Sequence, residues 1–289
     1  MKQIALFAAL LAGALSAQTP FQVKVTGQGQ PMILIPGLAS GGGTWDTTVA
    51  HYQDRYQCHV LTLAGFAGVP RIPAPMLNTV RDGIADYIRV NKLEKPVIVG
   101  HSLGGFVALA VATKYPDLTG KLVIVDSYPF LAGVMNPGAS MAEVKQSVAQ
   151  AAQYYRSQDQ DAYERMTKSG LNTRPLVTSD SDLERLIAWG LASDRTAVGD
   201  AMIELLSSDL RDDLARIKSP TLVLASWIGY KEYTTRQKTE EGLRRQYANL
   251  AGVTLQLSDT ARHFIMWDDP NWMFGHMDTF LSARPAATK

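Results

Sequence analysis

Cysteine is nearly absent from this chain of 289 residues, which contains Cys58 alone. A single cysteine excludes an intramolecular disulfide bond. Cys58 begins the apolar run CHVLTL, which is typical of a strand, so we expect a buried thiol. A cysteine nucleophile is the alternative, but a nucleophile is expected where a strand ends, and Cys58 stands where one begins.

The chain also lacks an excess of charge of either sign. Its 28 Lys and Arg residues and 27 Asp and Glu residues give a formal net charge of +1, with no basic stripe or charged run. Nothing therefore indicates a nucleic acid or an anionic membrane surface as a partner. The content of 46% hydrophobic residues is ordinary for a globular protein. The length permits one large α/β domain or a domain with an insertion.

The apolar run near the N-terminus is too short for a comfortable transmembrane helix. It extends from Ile4 to Leu15, follows Lys2 and ends in small residues, which is typical of a secretory signal peptide. We expect residues 1–17 to be this signal peptide, with cleavage after Ser16 or Ala17. The mature protein is then expected to be secreted or periplasmic. A retained membrane anchor is the alternative.

Strand-like and helix-like segments alternate along most of the chain, and this alternation predicts an α/β fold with a mostly parallel sheet flanked by helices. The rhythm stops between residues 127 and 208, where no convincing strand occurs and where helix-like blocks cover 140–156, 159–169, 181–193 and 196–206. A helical insertion of this length is too long for a simple loop. The predicted strands are 21–25, 32–35, 58–63, 97–99, 122–126, 221–225 and 253–257, and helices are predicted at 48–56, 76–91, 103–115 and 272–281.

One stretch, VIVGHSLGGFVALAVA, places a serine between a strand and a helix. Gly100 and Gly104 flank Ser102 in the pattern G-x-S-x-G, and glycines relieve the crowding of so tight a turn. A turn of this kind holds the Ser102 hydroxyl at the positive end of a helix. The stretch resembles the nucleophile elbow of the α/β-hydrolase family. A glycine-rich turn with an idle serine is the alternative.

The resemblance to α/β-hydrolases covers nearly the whole mature chain. It implies a core built from residues 18–126 and 209–289, and an all-helical cap at 127–208. The cap is inserted after the sixth strand in the family's numbering. The resemblance also implies a histidine base on the loop after the last strand, and His263 follows the strand-like run VTLQL. The other histidines fit less well, because His51 and His276 fall in predicted helices, His59 in a strand, and His101 would point away from the serine.

The oxyanion hole needs two main-chain N–H donors. The resemblance assigns them to Leu103, which follows the nucleophile, and to Leu38, in the loop IPGLASGGGTW after the second predicted strand. Part of this loop, from Gly37 to Thr44, is close to a phosphate-binding loop, but Gly43 stands where such a loop needs lysine. We interpret Gly41 to Gly43 as flexible glycines beside the oxyanion hole.

The family's usual acid, an aspartate after the strand TLVLA, is missing from the loop SWIGYKE. Asp126 ends the run LVIVD at the same edge of the sheet as Ser102 and His263, and some family members take their acid from that strand. We predict Asp126 as the acid that orients the base. Glu232 and a Ser–His dyad remain open alternatives.

Together these residues predict a serine hydrolase that cleaves carboxylic esters through an acyl-enzyme on Ser102. No metal or cofactor is predicted, and the partner is a small-molecule ester. Lactone hydrolysis, perhydrolysis and carbon–carbon bond hydrolysis use the same residues and stay open. A ligand-binding protein with little turnover is the alternative of another class. A pocket for small or medium apolar groups is predicted from aromatic residues, namely Trp45, Tyr128, Phe130, Trp189, Trp227 and Phe264.

Overall fold

A sheet of seven strands runs through the part of the chain that the computed structural model describes, residues 19–135 and 138–283. The strands lie in the order β1-β3-β2-β4-β5-β6-β7. Only the β1–β3 pair among these neighbours is antiparallel, so the sheet is mostly parallel. The strands are β1 (Phe21–Thr26), β2 (Gln30–Ile35), β3 (Tyr56–Leu63), β4 (Val97–His101), β5 (Leu122–Val125), β6 (Thr221–Ala225) and β7 (Thr254–Leu257).

Helices cover both faces of the sheet, and β4, β5 and β6 are therefore buried along their whole length. Apolar side chains of α2 and α3 pack on one face, and those of α1 and α11 pack on the other. The helices are α1 (Asp46–Tyr52), α2 (Met76–Val90), α3 (Leu103–Lys114), α4 (Leu131–Met135), α5 (Met141–Ser157), α6 (Gln160–Ser169), α7 (Asp180–Ala192), α8 (Arg195–Ser207), α9 (Arg236–Gln246), α10 (Ile265–Asp268) and α11 (Pro270–Ser282). This architecture confirms the predicted α/β fold.

The carboxyl ends of the central strands meet at one edge of the sheet. His101 at the end of β4 pairs with Val125 at the end of β5, and Val125 pairs with Leu224 near the end of β6. The residues that follow these strands are Ser102, Asp126 and Ser226. Parallel register therefore brings three polar side chains to the same edge, where open α/β sheets carry their binding sites.

The segment between β5 and β6 contains helices and no strand among its described residues. Each predicted helical block contains a helix, α5 to α8, and the structure adds the short α4. Side chains that accept a hydrogen bond from the third helical amide fix where these helices begin. These N-terminal caps are Ser140, Asp159, Ser179 and Asp194, and Ser140 forms a capping box with Glu143.

Helix α8 docks this helical segment on the rest of the protein. Glu204 accepts hydrogen bonds from the main-chain N–H groups of Met76 (2.7 Å) and Leu77 (2.8 Å) at the start of α2. A carboxylate is stabilised there because helix N-termini carry unpaired N–H donors and a positive partial charge. Ala201 and Leu205 of α8 also belong to the same buried cluster as α2 and α3. The predicted cap thus shares a continuous core with the sheet.

Some predicted boundaries differ from the structure. The predicted helix 48–56 is wrong at its end, because α1 stops at Tyr52 and β3 begins at Tyr56. A turn closed by the hydrogen bond from Arg55 N to Tyr52 O separates them. The strand that precedes Asp126 is the fifth of the seven described strands, although it corresponds to the sixth in the family's numbering.

Two findings concern the membrane and the chain ends. The predicted signal peptide lies outside the described residues. Within residues 19–135 and 138–283, no helix combines the length and the apolar character that crossing a membrane requires.

Candidate active site

Ser102 occupies a strained turn between β4 and α3. Its backbone has φ 53° and ψ −121°, a left-handed conformation that costs a non-glycine residue about 1–3 kcal/mol. The turn closes so tightly that a Cβ on Gly100 would collide with the carbonyl oxygen of Gly104, and one on Gly104 with the carbonyl oxygen of Ile35. This is the geometry that the pattern G-x-S-x-G predicts, and it leaves Ser102 half-buried at the start of α3.

His263 and Asp126 form a short hydrogen-bonded pair at the same edge. Nδ1 of His263 lies 2.6 Å from Oδ2 of Asp126, and the two side chains are only 17% and 6% exposed. Since an ionised carboxylate only accepts, Nδ1 carries the hydrogen and Nε2 of the neutral ring is a free base. The pair therefore gives His263 the tautomer that a general base requires.

Ser226 completes the surroundings of the Asp126 carboxylate. Its main-chain N–H donates to Oδ1 (2.7 Å) and its hydroxyl donates to Oδ2 (2.8 Å). Asp126 itself sits at φ 45°, so its backbone is held in an uncommon conformation. Ser226 follows β6, where the family usually carries its acid, and its local sequence did not predict this role. The alternative acid, Glu232, is exposed and has no recorded contact with His263.

The nucleophile and the base are neighbours that are not yet bonded. The side-chain hydrogen bond recorded for His263 uses Nδ1, and none joins its Nε2 to the Ser102 hydroxyl. Hydrogen bonds between catalytic groups are often long in ligand-free structures and shorten when substrate binds. Proton transfer thus requires the Ser102 hydroxyl and His263 Nε2 to come within hydrogen-bond distance.

The predicted oxyanion donors lie beside Ser102. A Cβ on Gly37 would be 3.2 Å from Ser102 Cβ, which shows how closely the loop after β2 approaches the nucleophile. Leu38 follows Gly37 directly, and Leu103 is the first residue of α3. Neither main-chain N–H has an acceptor among the recorded contacts of the described residues. Both amides are therefore unpaired donors close to Ser102.

The glycines at 41–43, interpreted from the sequence as flexible, lie against neighbouring elements in the structure. Gly42 N donates to Thr62 Oγ1 (2.9 Å), and a 3₁₀ turn begins at Gly42. Small residues are required because the indole of Trp189 lies against them. A Cβ on Gly43 would be 3.0 Å from Trp189 Cζ2, and one on Gly41 would be 3.3 Å from Trp189 Nε1. The glycine run accommodates a side chain of α7.

Three of the predicted pocket residues lie in the hydrophobic core. Trp45 is 0% exposed, Phe264 3% and Phe130 4%, so these side chains do not line an open pocket in this structure. Large aromatic rings bury much apolar area and are more often core than contact residues. Phe264, for example, stacks on Trp267 with ring centroids 4.4 Å apart. Tyr128, Trp189 and Trp227 are partly exposed, and the Trp227 indole donates to Asp259 (2.9 Å).

Three tyrosines lie around Asp126, of which Tyr128 was predicted as a pocket residue and Tyr230 and Tyr247 were not predicted from the sequence. Burial and then the charge of Asp126 raise the pKa of Tyr230 to about 12, and the same causes raise the pKa of Tyr128. Tyr247 donates its hydroxyl hydrogen to the carbonyl oxygen of Ser127 (2.8 Å). These hydroxyls stay protonated at neutral pH. They keep the vicinity of Asp126 polar without adding charge.

Two buried histidines predict a loss of stability in acid. Burial lowers the pKa of His59, and burial together with the neighbouring His263 holds the pKa of His101 well below its usual range. Below about pH 6.5 the unfolded chain binds protons that the folded chain does not, so stability falls by up to about 1.4 kcal/mol per pH unit for each histidine. Above that pH the contribution is fully present. Urea unfolding between pH 7.5 and 5.5 should show a shallower pH dependence for His59→Gln than for wild type, and equal slopes would contradict the prediction.

Groups able to hold a metal ion are absent from residues 19–135 and 138–283, where no cluster of three or more His, Cys, Asp or Glu side chains is found.

A sequence model described as the Alpha/beta hydrolase family matches residues 32–275, and the chain belongs to this family. A relative from Vibrio cholerae, a pimeloyl-[acyl-carrier protein] methyl ester esterase, is 27% identical over 215 residues, which are 70% of this chain and 76% of that protein. Family membership and this esterase relative support a hydrolase.

Solved structures share the fold at low sequence identity. An enol-lactonase from Burkholderia xenovorans has a TM-score of 0.74 at 15% identity, and an esterase from Exiguobacterium antarcticum has 0.73 at 17%. Each similarity covers 91% of this chain and 96% of the other. At this identity the likeness shows the fold alone.

Proposed function

We propose that this protein is a serine hydrolase that cleaves carboxylic esters with small or medium apolar groups. The observation that carries the proposal is the 2.6 Å hydrogen bond between His263 and Asp126 at the sheet edge where the strained Ser102 turn also lies. The methyl ester esterase among the relatives supports an ester bond as the target. Export through residues 1–17 is part of the proposal and depends on the sequence alone.

The reaction follows from the roles of these side chains. Ser102 Oγ bonds to the ester carbonyl carbon while His263 Nε2 takes the hydroxyl proton, and Asp126 stabilises the resulting imidazolium. The N–H groups of Leu38 and Leu103 receive the negative charge on the carbonyl oxygen. The bond to the alcohol oxygen breaks, and His263 returns the proton to that oxygen. Water then repeats these steps on the acyl-enzyme, which releases the carboxylic acid and restores Ser102.

A substrate panel tests this proposal. Steady-state rates are measured on p-nitrophenyl acetate, butyrate and octanoate, on the matching methyl esters and on a lactone, with Ser102→Ala as the background control. Turnover of the esters that depends on Ser102 supports the proposal. Hydrolysis of the lactone alone would contradict it in favour of a lactonase. A single burst of p-nitrophenol without turnover would indicate a ligand-binding protein.

Trp189→Ala should change the preference among acyl chain lengths more than the rate on acetate esters. Trp189 is partly exposed, belongs to α7 and packs on the glycines that follow the oxyanion loop, so its removal opens space next to the site. The comparison is kcat/KM for acetate, butyrate and octanoate esters in the variant and in wild type. A uniform decrease for all three esters would show that Trp189 contributes only to stability.

A further inference from the structure

His101, the residue before the nucleophile, reaches the main chain of the base. It is 0% exposed, and its Nε2 lies 3.1 Å from the carbonyl oxygen of His263. A carbonyl oxygen only accepts, so Nε2 must carry the hydrogen, and the tautomer of His101 is thereby fixed. One hydrogen bond therefore connects the strand that carries Ser102 to the loop that carries His263.

Packing alone does not explain a histidine at this position. The ring is enclosed by Phe264, whose centroid is 4.4 Å away, and by the edge of Trp45 at 6.5 Å. Its second nitrogen, Nδ1, is buried without a hydrogen-bond partner. A buried unpaired acceptor is unfavourable, and phenylalanine would fill a similar volume without one. The hydrogen bond to the His263 carbonyl is the compensating feature that histidine provides and phenylalanine does not.

The other hydrogen bonds of the loop that carries His263 connect it to parts of the fold other than β4. Phe264 N donates to the carbonyl oxygen of Leu176 (3.2 Å), and Arg262 N donates to Asp268 Oδ2 (2.8 Å). These contacts hold the two neighbours of His263 to the helical segment and to α10. Among the recorded contacts of the described residues, the His101 bond is the one that ties the His263 main chain to β4.

We propose that His101 is a positioning residue that sets the separation between the His263 ring and Ser102 through the His263 carbonyl group. The inference rests on the proposed function, because that separation matters only if His263 takes a proton from Ser102. The side chains of His263 and Ser102 are not hydrogen-bonded in this structure. How closely they approach therefore depends on the position of the loop that carries His263 relative to the turn that carries Ser102. Small errors in such placement reduce rates strongly.

The absence of charge on the His101 ring is consistent with a positioning role. Burial and the neighbouring His263 hold the pKa of His101 well below its usual range, so the ring stays neutral. The His263 ring centroid is 4.5 Å away, and His263 becomes a cation when it accepts the Ser102 proton. A neutral His101 allows Asp126 to stabilise the His263 cation, whereas a charged His101 would repel that cation.

The test compares two replacements of His101. His101→Phe removes the donor and should lower kcat on p-nitrophenyl acetate about tenfold or more, with KM within about twofold of wild type. Its urea unfolding midpoint should change little, because the unpaired Nδ1 is removed while the carbonyl oxygen of His263 loses its donor. His101→Gln retains an N–H donor and should recover most of the lost kcat. A merely structural residue would not give lower kcat together with unchanged stability.

A matched control is Val99→Ala on the same strand. Val99 is fully buried and has no recorded hydrogen bond to the base loop, so this variant should lose stability and keep kcat within about twofold. If Val99→Ala loses as much kcat as His101→Phe, or if His101→Gln is no better than His101→Phe, the proposal is wrong. If His101→Phe does not fold, His101→Leu takes its place in the comparison with His101→Gln.

A second readout separates this inference from the proposed function. The low-field NMR signal of the His263 Nδ1 proton reports the bond to Asp126 and needs no substrate. The signal should shift in His101→Phe and return in His101→Gln. A shift that returns in His101→Gln, in a protein that hydrolyses a lactone but no ester, would overturn the proposed function and support the positioning role, because lactone hydrolysis needs the same proton transfer. An unmoved signal with full activity in His101→Phe would overturn the positioning role alone.

Discussion

Ser102→Ala should lower kcat for every ester that the wild-type protein hydrolyses, by on the order of 10⁶. The hydroxyl is the atom that bonds to the substrate, and no other group at the sheet edge replaces it. Water activated by His263 and the amides of Leu38 and Leu103 would leave only a small residual rate. The measurement is the steady-state rate on p-nitrophenyl acetate.

The alanine variant should fold as the wild-type protein does. Ser102 is half-buried and its side chain has no recorded hydrogen bond, so removing the hydroxyl oxygen loses little packing. Alanine and serine also bear a similar strain at φ 53°, so the cost of the turn is unchanged. Circular dichroism and the urea midpoint should therefore match those of wild type. A variant that keeps a tenth of the activity would disprove the role of Ser102.

Labelling with a fluorophosphonate probe gives a control that distinguishes the two nucleophiles. Ser102 should be modified and Cys58 should not. Burial raises the pKa of the Cys58 thiol to about 11, so almost no thiolate is present near neutral pH. Modification of Cys58 in the folded protein would contradict both its burial and the assignment of the nucleophile.

The elbow and the frame of the fold could be predicted because their signals are local. Glycines on each side of Ser102 specify a tight turn within a few residues, and the apolar runs around it specify the strand and the helix. The helix-like blocks of the predicted cap are local signals as well, and the structure adds their N-terminal caps, such as Ser140 and Asp194. Parallel register then follows from the alternation of strands and helices.

The contacts that hold the site together could not be predicted, because they join residues far apart in the sequence. Ser226 donates to Asp126 across 100 residues, and His101 donates to the main chain of His263 across 162. Neither residue type is distinctive in its local sequence. The pocket prediction misplaced Trp45, Phe130 and Phe264 for a related reason, since composition does not tell whether an aromatic side chain faces a pocket or the core.

Asp126→Asn should lower kcat by about 10³ to 10⁴. The carboxylate of Asp126 accepts from Ser226 through both oxygens and from His263 through Oδ2. If the NH2 group of asparagine takes the place of Oδ2, it faces His263 Nδ1. The His263 ring must then carry its hydrogen on Nε2, so Nε2 cannot accept the Ser102 proton. If the amide replaces Oδ1, it meets the main-chain N–H of Ser226, and two donors are left facing each other. Either orientation impairs the base.

Glu232 is the matched control in the experiment that determines which carboxylate orients His263. Glu232→Gln removes a charge from the loop after β6 but touches no recorded partner of His263, so kcat should change by less than about tenfold. Ser226→Ala should fall between the two, because it removes one donor to Asp126 and leaves the main-chain N–H in place. Circular dichroism confirms that each variant is folded before rates are compared. A larger loss in Glu232→Gln than in Asp126→Asn would assign the acid to the loop after β6, and the 2.6 Å pair of His263 and Asp126 would then be structural.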